Sequence, residues 1–398
     1  KELQQKLQPK EYRKRFLVKL GQKLISVEIN EVAYFYSDGR LNFFKTTDNQ
    51  FGFKKTVGCS HAVYSVRCVV DNYVSRGSTV NLCALDISKA FDRMNHHGLF
   101  VKLMRRSVPR NVLCILENWF SKCYTCVKWN NFFSVMFKLN CGIRQGGVLS
   151  PYMFAIYIDE IVHTIESLGT GCYLGSVCFS IILYADDMLL LAPSINALQK
   201  LLTVCETELR KLDLSINAKK SVCIRIGSQS SIECCKILTA DGKCLEWVNN
   251  LRYLGIFILR AKSFRCCFSN AKKSFYSAFN ALYGKIARSA SEEVVLSLIK
   301  FKCLPCLLYG LDACPVNKTE ARSLDFSVKR ILMKIFHTTS NDVISECQLF
   351  FRFPPVHILV RERKLKFLQK YAASENVLCN CFSIVANDQL NELKSLEL

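Results

Sequence analysis

Three aspartates are placed where negative charge would gather. Asp86 follows an apolar run, and Asp186 and Asp187 stand side by side between two apolar runs. Carboxylates clustered beside buried strands are costly unless protons or cations neutralise them. Mg²⁺ suits such a cluster because it binds through one or two carboxylates and keeps its other positions for water and phosphate oxygens. Two such ions about 3.5–4 Å apart hold both the attacking and leaving oxygens of a phosphoryl transfer. The three aspartates therefore predict a metal-dependent phosphoryl-transfer site.

The alternative is ordinary turn chemistry, because aspartate is common in tight turns. An Asp-Asp pair alone would favour that reading. Here the pair follows Tyr184-Ala185, a Gln-Gly-Gly loop with a later Ser-Pro lies upstream, and Asp86 begins a Ser-Lys-Ala-Phe-Asp run. These neighbours favour the catalytic interpretation.

The elements that would position the aspartates follow from the hydrophobic pattern. Residues 80–85 predict a strand ending at Asp86, and residues 179–184 and 188–191 predict a buried hairpin with Asp186 and Asp187 at its tip. Leu99 and Leu103 begin a helical spacing after the first strand.

The remaining elements complete an α+β pattern. A helix is predicted with Ser150 as N-cap and Pro151 in its first turn, and one apolar face contains Phe154, Ile158, Ile161 and Ile165. Further patterns predict a helix over 198–212, a strand over 222–226, a hairpin turn at 241–242 and a strand over 253–258. We expect one sheet with helices on one of its faces, followed by helices from residue 271 onward.

Composition indicates the class of partner. The 398 residues contain 54 Lys and Arg against 33 Asp and Glu, a net charge of +21. This excess favours a polyanion such as nucleic acid. No apolar run approaches the ~20 residues of a membrane span, and residues 1–23 are too charged for a signal peptide. We expect a soluble intracellular protein without membrane contact, and leave nucleus or cytoplasm open.

Cysteine and histidine could suggest other metal chemistry. The chain contains 22 cysteines, most of which we expect to be reduced core thiols. Two Cys-x-x-Cys pairs, at 123/126 and 303/306, are too far apart in sequence to favour a structural zinc site. The three histidines at 96, 97 and 163 lack a second ligand set, so we interpret them as core or solvated residues.

Ordered motifs resemble the successive palm motifs of reverse transcriptases, most closely those of non-LTR, LINE-type retrotransposons. They are residues 86–92 (DISKAFD), 142–151 (GIRQGGVLSP), 184–187 (YADD), 217–221 (NAKKS) and 253–255 (YLG). The resemblance implies a right-hand polymerase with partial fingers, a ferredoxin-like palm and a helical thumb. It divides the chain into 50–260 for fingers remnant and palm and 261–398 for the thumb and basic C-terminal helices, which would track the duplex.

The resemblance also implies roles near the metal. Asp86, Asp186 and Asp187, with the Ile87 carbonyl, would bind two Mg²⁺ ions, or Mn²⁺ in their place. Phe91 matches the steric gate that excludes a 2′-hydroxyl, which makes dNTPs the substrate. A core aromatic remains the alternative for Phe91.

Other matched positions concern the nucleotide and the primer. Gln145, Gly146, Tyr184 and Lys54 would lie at the incoming nucleotide, with Lys55 as the alternative to Lys54 at the triphosphate. Lys220 resembles the general acid to pyrophosphate, with Lys219 as the alternative. The 253–255 motif resembles the primer grip.

The N-terminal segment differs from the family pattern. Residues 15–47 resemble the opening half of a bacterial LytTR DNA-binding domain, so we expect a short β fragment over 1–49, with strands at 24–29, 32–36 and 41–44. Three functions remain open: an RNA-directed DNA polymerase using an RNA template and a DNA primer, a catalytically inactive nucleic-acid-binding remnant, and a DNA-binding regulator acting through residues 1–48. The sequence makes no prediction of oligomeric state.

Overall fold

The structure is a computed structural model that describes residues 15–20, 23–28, 57–144, 147, 149–286 and 290–395, without side chains for the first two segments. The strands are β1 Arg15–Leu20, β2 Lys23–Glu28, β3 Thr79–Leu85, β4 Tyr124–Thr125, β5 Lys128–Trp129, β6 Phe132–Phe133, β7 Phe137–Lys138, β8 Cys172–Leu174, β9 Val177–Phe179, β10 Ile181–Tyr184, β11 Asp187–Ala192, β12 Val222–Gly227, β13 Ile237–Leu238, β14 Cys244–Trp247, β15 Asn250–Tyr253, β16 Ile256–Leu259 and β17 Arg265–Cys267. The helices are α1 Cys59–Ser75, α2 His96–Arg105, α3 Arg110–Ser121, α4 Ser150–Ser167, α5 Ile195–Lys211, α6 Ser269–Ile286, α7 Glu292–Leu298, α8 Leu304–Leu308, α9 Lys318–Ile335, α10 Asn341–Phe350, α11 Val356–Ala372, α12 Val377–Cys381 and α13 Ser383–Ser395.

The described residues divide between two compact units. One is drawn from Lys1–Thr46 and Met94–Tyr157, the other from Thr47–Arg93 and Ile158–Leu398. In the first unit β1 and β2 form an antiparallel hairpin, and β2 coincides with the strand predicted over 24–29. The strands predicted over 32–36 and 41–44 lie outside the described residues.

A six-stranded sheet in the second unit carries the predicted palm strands. Its order is β10-β11-β3-β12-β14-β13. The first four strands are antiparallel neighbours, and β14 runs parallel to β12. The predicted strand over 80–85 is β3, and the predicted hairpin is β10 and β11, so the α+β prediction is confirmed.

Helices cover this sheet on both faces, and the expectation of helices on one face is wrong. Leu82 of β3 and Leu189 of β11 belong to one core with Val66 of α1. The next residues along the strands point to the opposite face, where the Met188 sulfur lies 4.0 Å from the Cys205 sulfur of α5. A strand buried on both faces is apolar at successive positions, and β11 is buried from its second residue to its end.

The strand predicted over 253–258 is a hairpin instead. β15 and β16 pair through Tyr253 and Ile256, with Leu254 and Gly255 as the turn. Both turn residues have positive φ, 47° and 78°, as a two-residue type I′ turn requires. Leucine at such a position is uncommon, which is why the sequence reads as one continuous strand. β17 completes a three-stranded sheet.

The helical prediction for the last third of the chain is confirmed. α6 begins at Ser269, two residues before the predicted point, and helices continue to Ser395, the last described residue. A π-helical turn, Ile299–Cys303, joins α7 to α8. Pro305 lies in the first turn of α8, where a missing N–H removes no intrahelical bond.

Helix α4 differs in detail from its prediction. It begins at Ser150 itself, and the Ser150 hydroxyl donates to the Arg144 carbonyl at 2.6 Å. The predicted apolar face is buried, but Met153 and Tyr157 beside it are buried as well. Among the described residues, no helix has the length and apolar character needed to cross a membrane.

Candidate active site

Strand pairing brings the predicted carboxylates to one end of the sheet. Leu85 at the end of β3 pairs with Met188 of β11. Asp86 and Asp187 are the next residues of these two neighbouring antiparallel strands. Asp186 is the second residue of the tight turn that Tyr184 and Asp187 close. The first turn residue, Ala185, has φ 57°, as in a type II′ turn.

Residues from another part of the chain fix the backbone at Asp86. The Asp86 N–H donates to the Ser221 hydroxyl at 3.0 Å, and the Asn217 N–H donates to the Asp86 carbonyl at 2.8 Å. Ser221 is fully buried. Ile87 forms a β-bridge with Ile216. The segment that carries the first carboxylate is therefore held against residues 216–221.

The carboxylates influence one another electrostatically. Burial raises the pKa of Asp187 above its ordinary value, and the negative charges of Asp186 and Asp86 raise it further. The Arg252 guanidinium acts in the opposite direction and lowers that pKa. Asp187 as a whole is exposed, so its carboxyl group is only partly removed from water. Such repulsion is relieved when a cation binds between the carboxylates.

The donor chemistry fits a hard divalent cation in an open site. Among the described residues, no three His, Cys, Asp or Glu side chains lie together as a group able to hold a metal ion by themselves. Mg²⁺ does not require such a cage, since one or two carboxylates suffice and water and phosphate oxygens complete its shell. The side chain of Asp86 is 43% exposed and so remains open to such ligands.

Cysteine and histidine form no competing metal site in the described part of the chain. All 22 cysteines are free thiols, nine of them buried and four exposed. Nε2 of His96 lies 2.6 Å from the Gly142 carbonyl oxygen, and its ring centroid is 4.4 Å from that of Phe120, so this histidine is structural. His97 and His163 are exposed.

Lys220 is brought next to the first carboxylate. Its Nζ lies 4.0 Å from Oδ2 of Asp86, and its side chain is 70% exposed. Lys219 is tied through its backbone instead, because its N–H donates to Oδ1 of Asn217 at 3.2 Å. Of the two lysines, it is therefore Lys220 whose ammonium group lies beside the Asp86 carboxylate.

One tyrosine belongs to the β10–β11 hairpin, and another contacts the Leu254–Gly255 turn. Burial raises the pKa of Tyr184 well above the ordinary value, and the neighbouring Cys59 thiol raises it further. The Tyr309 hydroxyl donates to the Leu254 carbonyl at 2.9 Å. A Cβ added to Gly255 would lie 3.0 Å from Cε1 of Tyr309. The hydrogen bond from Tyr309 therefore holds the turn that resembles the primer grip.

Other predicted site residues have mixed outcomes. Phe91 is half-buried and lies in the turn after Asp86, where Lys89 has φ 51°. Gln145, Gly146 and Lys54 lie outside the described residues.

Gly147, the next residue of the Gln-Gly-Gly loop, is described. A Cβ there would lie 2.7 Å from the Ser150 hydroxyl oxygen, so the turn before α4 requires glycine.

Sequence reasoning assigned no role to Ser221 or Arg252. Each has a sequence signal that could have identified it. Ser221 is a polar residue immediately before the strand predicted over 222–226, and Arg252 is a charge immediately before the 253–255 motif. Their importance depends on which strands are neighbours, and a single sequence does not give strand order.

Similar proteins agree with the motifs. The chain is 25% identical over 350 residues to an RNA-directed DNA polymerase from mobile element jockey of Drosophila funebris, covering 85% of this chain and 37% of that protein. It is 26% identical over 281 residues to a Pol polyprotein from the type-1 retrotransposable element R2 of Popillia japonica, covering 68% of this chain and 38% of that protein. The chain thus spans under two-fifths of the length of these curated relatives.

A solved structure of apo telomerase from Candida tropicalis aligns with 95% of this chain and 66% of its own, at 13% identity and a TM-score of 0.42. That similarity is too low to carry an argument about the site. The family described as reverse transcriptase (RNA-dependent DNA polymerase) matches residues 4–258. This match includes the segment compared with LytTR domains, and none of these relatives supports the LytTR resemblance. Because the match covers well over half of its residues and contains Asp86, Asp186 and Asp187, the chain belongs to the reverse transcriptase family.

Proposed function

We propose that this chain is the RNA-directed DNA polymerase of a LINE-type retroelement. The observation that carries the proposal is the adjacency of Asp86 and Asp187 at the ends of paired strands, with Asp186 in the turn beside them. The substrates would be an RNA template, a DNA primer and dNTPs. The 3′-hydroxyl group of the primer loses its proton to water, and its oxygen bonds to the α-phosphorus of the dNTP. The bond between the α-phosphorus and the oxygen that bridges to the β-phosphate breaks, and pyrophosphate leaves with that electron pair.

The residues at the sheet end support a binding site for two Mg²⁺ ions, with Mn²⁺ as a substitute. Asp86, Asp186, Asp187 and the Ile87 carbonyl would hold them. When bound, such ions neutralise phosphate charge and orient the reacting oxygens. The repulsion that raises the pKa of Asp187 supports this assignment, because it is the penalty that bound cations would remove.

The chain's own groups would perform the remaining tasks. Lys220, 4.0 Å from Asp86, would give a proton to the leaving pyrophosphate. Phe91 would press on the sugar of the dNTP.

Tyr184, Gln145, Gly146 and Lys54 would contact other parts of the nucleotide. We assign the Leu254–Gly255 turn to the primer 3′ end, residues 50–260 to fingers and palm, and residues 261–398 to the thumb.

Primer extension tests the proposal. Purified chain is incubated with an RNA template, a labelled DNA primer, dNTPs and Mg²⁺. We expect extension that Asp186→Asn abolishes. Asp241→Asn is the matched control, because it removes an exposed carboxylate from another turn beside the same sheet, and it should leave extension unchanged. Template binding without extension in the unmodified chain would support the inactive remnant instead.

A further inference from the structure

A β-hairpin in the first unit, residues 123–139, has no role in the proposed chemistry. We call it the aromatic hairpin. Tyr124 pairs with Lys138, and Thr125 with Phe137. Toward the tip, Lys128 pairs with Phe133 and Trp129 with Phe132.

Backbone hydrogen bonds hold the two paired segments of the aromatic hairpin together. The Leu139 N–H donates to the Cys123 carbonyl, and the Ser134 N–H donates to the Val127 carbonyl, each at 2.9 Å. Between the two paired segments, Cys126 lies opposite two residues, Val135 and Met136, as in a β-bulge. The ordered ladder means that the side chains on the hairpin are presented in fixed positions.

One face of this ladder alternates cations and aromatic rings. Tyr124 and Lys128 are four residues apart on one strand and therefore point to the same side. Their partners across the ladder are Lys138 and Phe133. The Lys128 Nζ lies 5.4 Å from the centroid of the Phe133 ring. The two lysine–aromatic pairs are separated by four residues, or about 14 Å at ~3.4 Å per residue.

The rings of the aromatic hairpin are exposed to solvent. Trp129 is 76% exposed and Phe132 79%, while Phe133 is 65% and Tyr124 53% exposed. Tyr124 and Phe133 lie on the face that carries the lysines, and Trp129 and Phe132 lie on the opposite face. Large exposed apolar side chains of this kind often mark an interaction site. A bound partner would bury these rings and remove the free-energy cost of exposing them to water.

Charge indicates the chemistry of the partner. Residues 118–158 contain no Asp or Glu, whereas Lys122, Lys128, Lys138 and Arg144 all lie in this stretch. A partner must therefore combine negative charge with flat apolar groups. Single-stranded nucleic acid has both, since every base has a face that stacks on an aromatic ring and every linkage carries a phosphate.

We propose that the aromatic hairpin is a binding surface for single-stranded nucleic acid, on which bases stack against the exposed rings while Lys128 and Lys138 contact phosphates. The surface adds a second nucleic-acid contact to the proposed polymerase. It includes none of the carboxylates or other residues assigned to nucleotide addition.

Binding is measured by fluorescence anisotropy with labelled single-stranded RNA and DNA of one sequence, without dNTPs or divalent metal. Tyr124→Ala and Phe133→Ala, which remove the two rings on the face that carries the lysines, should each raise the Kd for the preferred strand at least about fivefold, the lower end of what one stacked base contributes. Ile115→Ala is the matched control, because Ile115 on α3 is 65% exposed, as Phe133 is, but has no aromatic ring, and it should leave the Kd unchanged. Lys128→Gln should lower the slope of log Kd against log salt by about 0.7.

Photo-crosslinking with 4-thiouridine RNA, or 4-thiothymidine DNA, followed by peptide mapping locates the contact. Crosslinks within residues 123–139 support the proposal, and their strength with RNA or DNA identifies the source of the strand. Unchanged affinity of Tyr124→Ala and Phe133→Ala, with crosslinks only elsewhere, would overturn it. So would loss in these variants of self-association or of binding to lipid vesicles while nucleic-acid affinity stays intact. None of these readouts requires catalysis, so failure of primer extension leaves them independent.

Discussion

The hydroxyl of Ser221 provides a sharp test of how Asp86 is positioned. It accepts the Asp86 N–H at 3.0 Å, and Ser221 is fully buried. Ser221→Ala would leave that backbone donor without its partner, and a buried unsatisfied donor costs about 1–3 kcal/mol. The segment could regain a partner only by shifting, and a displacement of ~1 Å in a catalytic group costs roughly 100-fold in rate. We therefore expect both lower stability and a large loss of primer extension.

Ser180→Ala is the matched control for Ser221→Ala. Ser180 is also fully buried and also precedes a strand of the same sheet, but its hydroxyl has no hydrogen-bond partner among the described residues. Removing it should be neutral or slightly stabilising, with activity unchanged. Urea unfolding and single-turnover extension are measured on both variants. If Ser221→Ala matches Ser180→Ala in stability and rate, the hydrogen bond does not position Asp86 and the reasoning is refuted.

Three further predictions concern the carboxylates, the lysines and the hairpin turn. The pKa of Asp187 is raised in the folded chain, so its protonated form stabilises the fold at low pH and this stability is lost as pH rises through the folded-state pKa. Asp187→Asn should therefore increase the free energy of unfolding, measured with urea at pH 7 without divalent ions. This gain should disappear below the unfolded-state pKa of about 3.9. A constant gain at all pH values would contradict the prediction. Lys220→Ala should slow pyrophosphate release in single-turnover extension by about 10²–10⁴-fold, while Lys219→Ala should have a small effect; the reverse order would exchange their roles. Gly255→Ala places a side chain at φ 78° and 3.0 Å from a tyrosine ring, so thermal unfolding should reveal a loss of about 1–2 kcal/mol or more. Gly284→Ala, which meets nothing within 4 Å in the last turn of α6, should instead be neutral or gain up to about 0.5–1 kcal/mol. Equal effects of the two glycine variants would show that the turn is unstrained.

Local pattern was sufficient to predict the elements nearest the carboxylates. β3, β10 and β11 are short apolar segments bounded by polar residues. The tip of the hairpin formed by β10 and β11 carries Asp186, as predicted. The motifs also identified the family, because ordered agreement at five places is independent of any uncertainty in secondary structure.

Features that depend on tertiary structure could not be predicted in this way. Whether helices cover one face of a sheet or both depends on which distant segments return to it, and α1 precedes β3 while α5 follows β11. The sequence did not predict the Leu254–Gly255 turn because leucine rarely adopts positive φ. Tertiary contacts such as the Tyr309–Leu254 hydrogen bond hold it there. The roles of Ser221 and Arg252 likewise follow from strand order.

The position of β3 between β11 and β12 has a consequence for hydrogen exchange. Its backbone amides are bonded on both sides and its residues are buried on both faces, so their exchange with deuterium should require opening of the whole second unit. The three-stranded sheet of β15, β16 and β17 is smaller and should exchange through local openings. β3, the strand that leads to Asp86, would then be the last to lose its protection from exchange. The Leu254–Gly255 turn, which we assign to the primer 3′ end, would open locally without displacing the carboxylates.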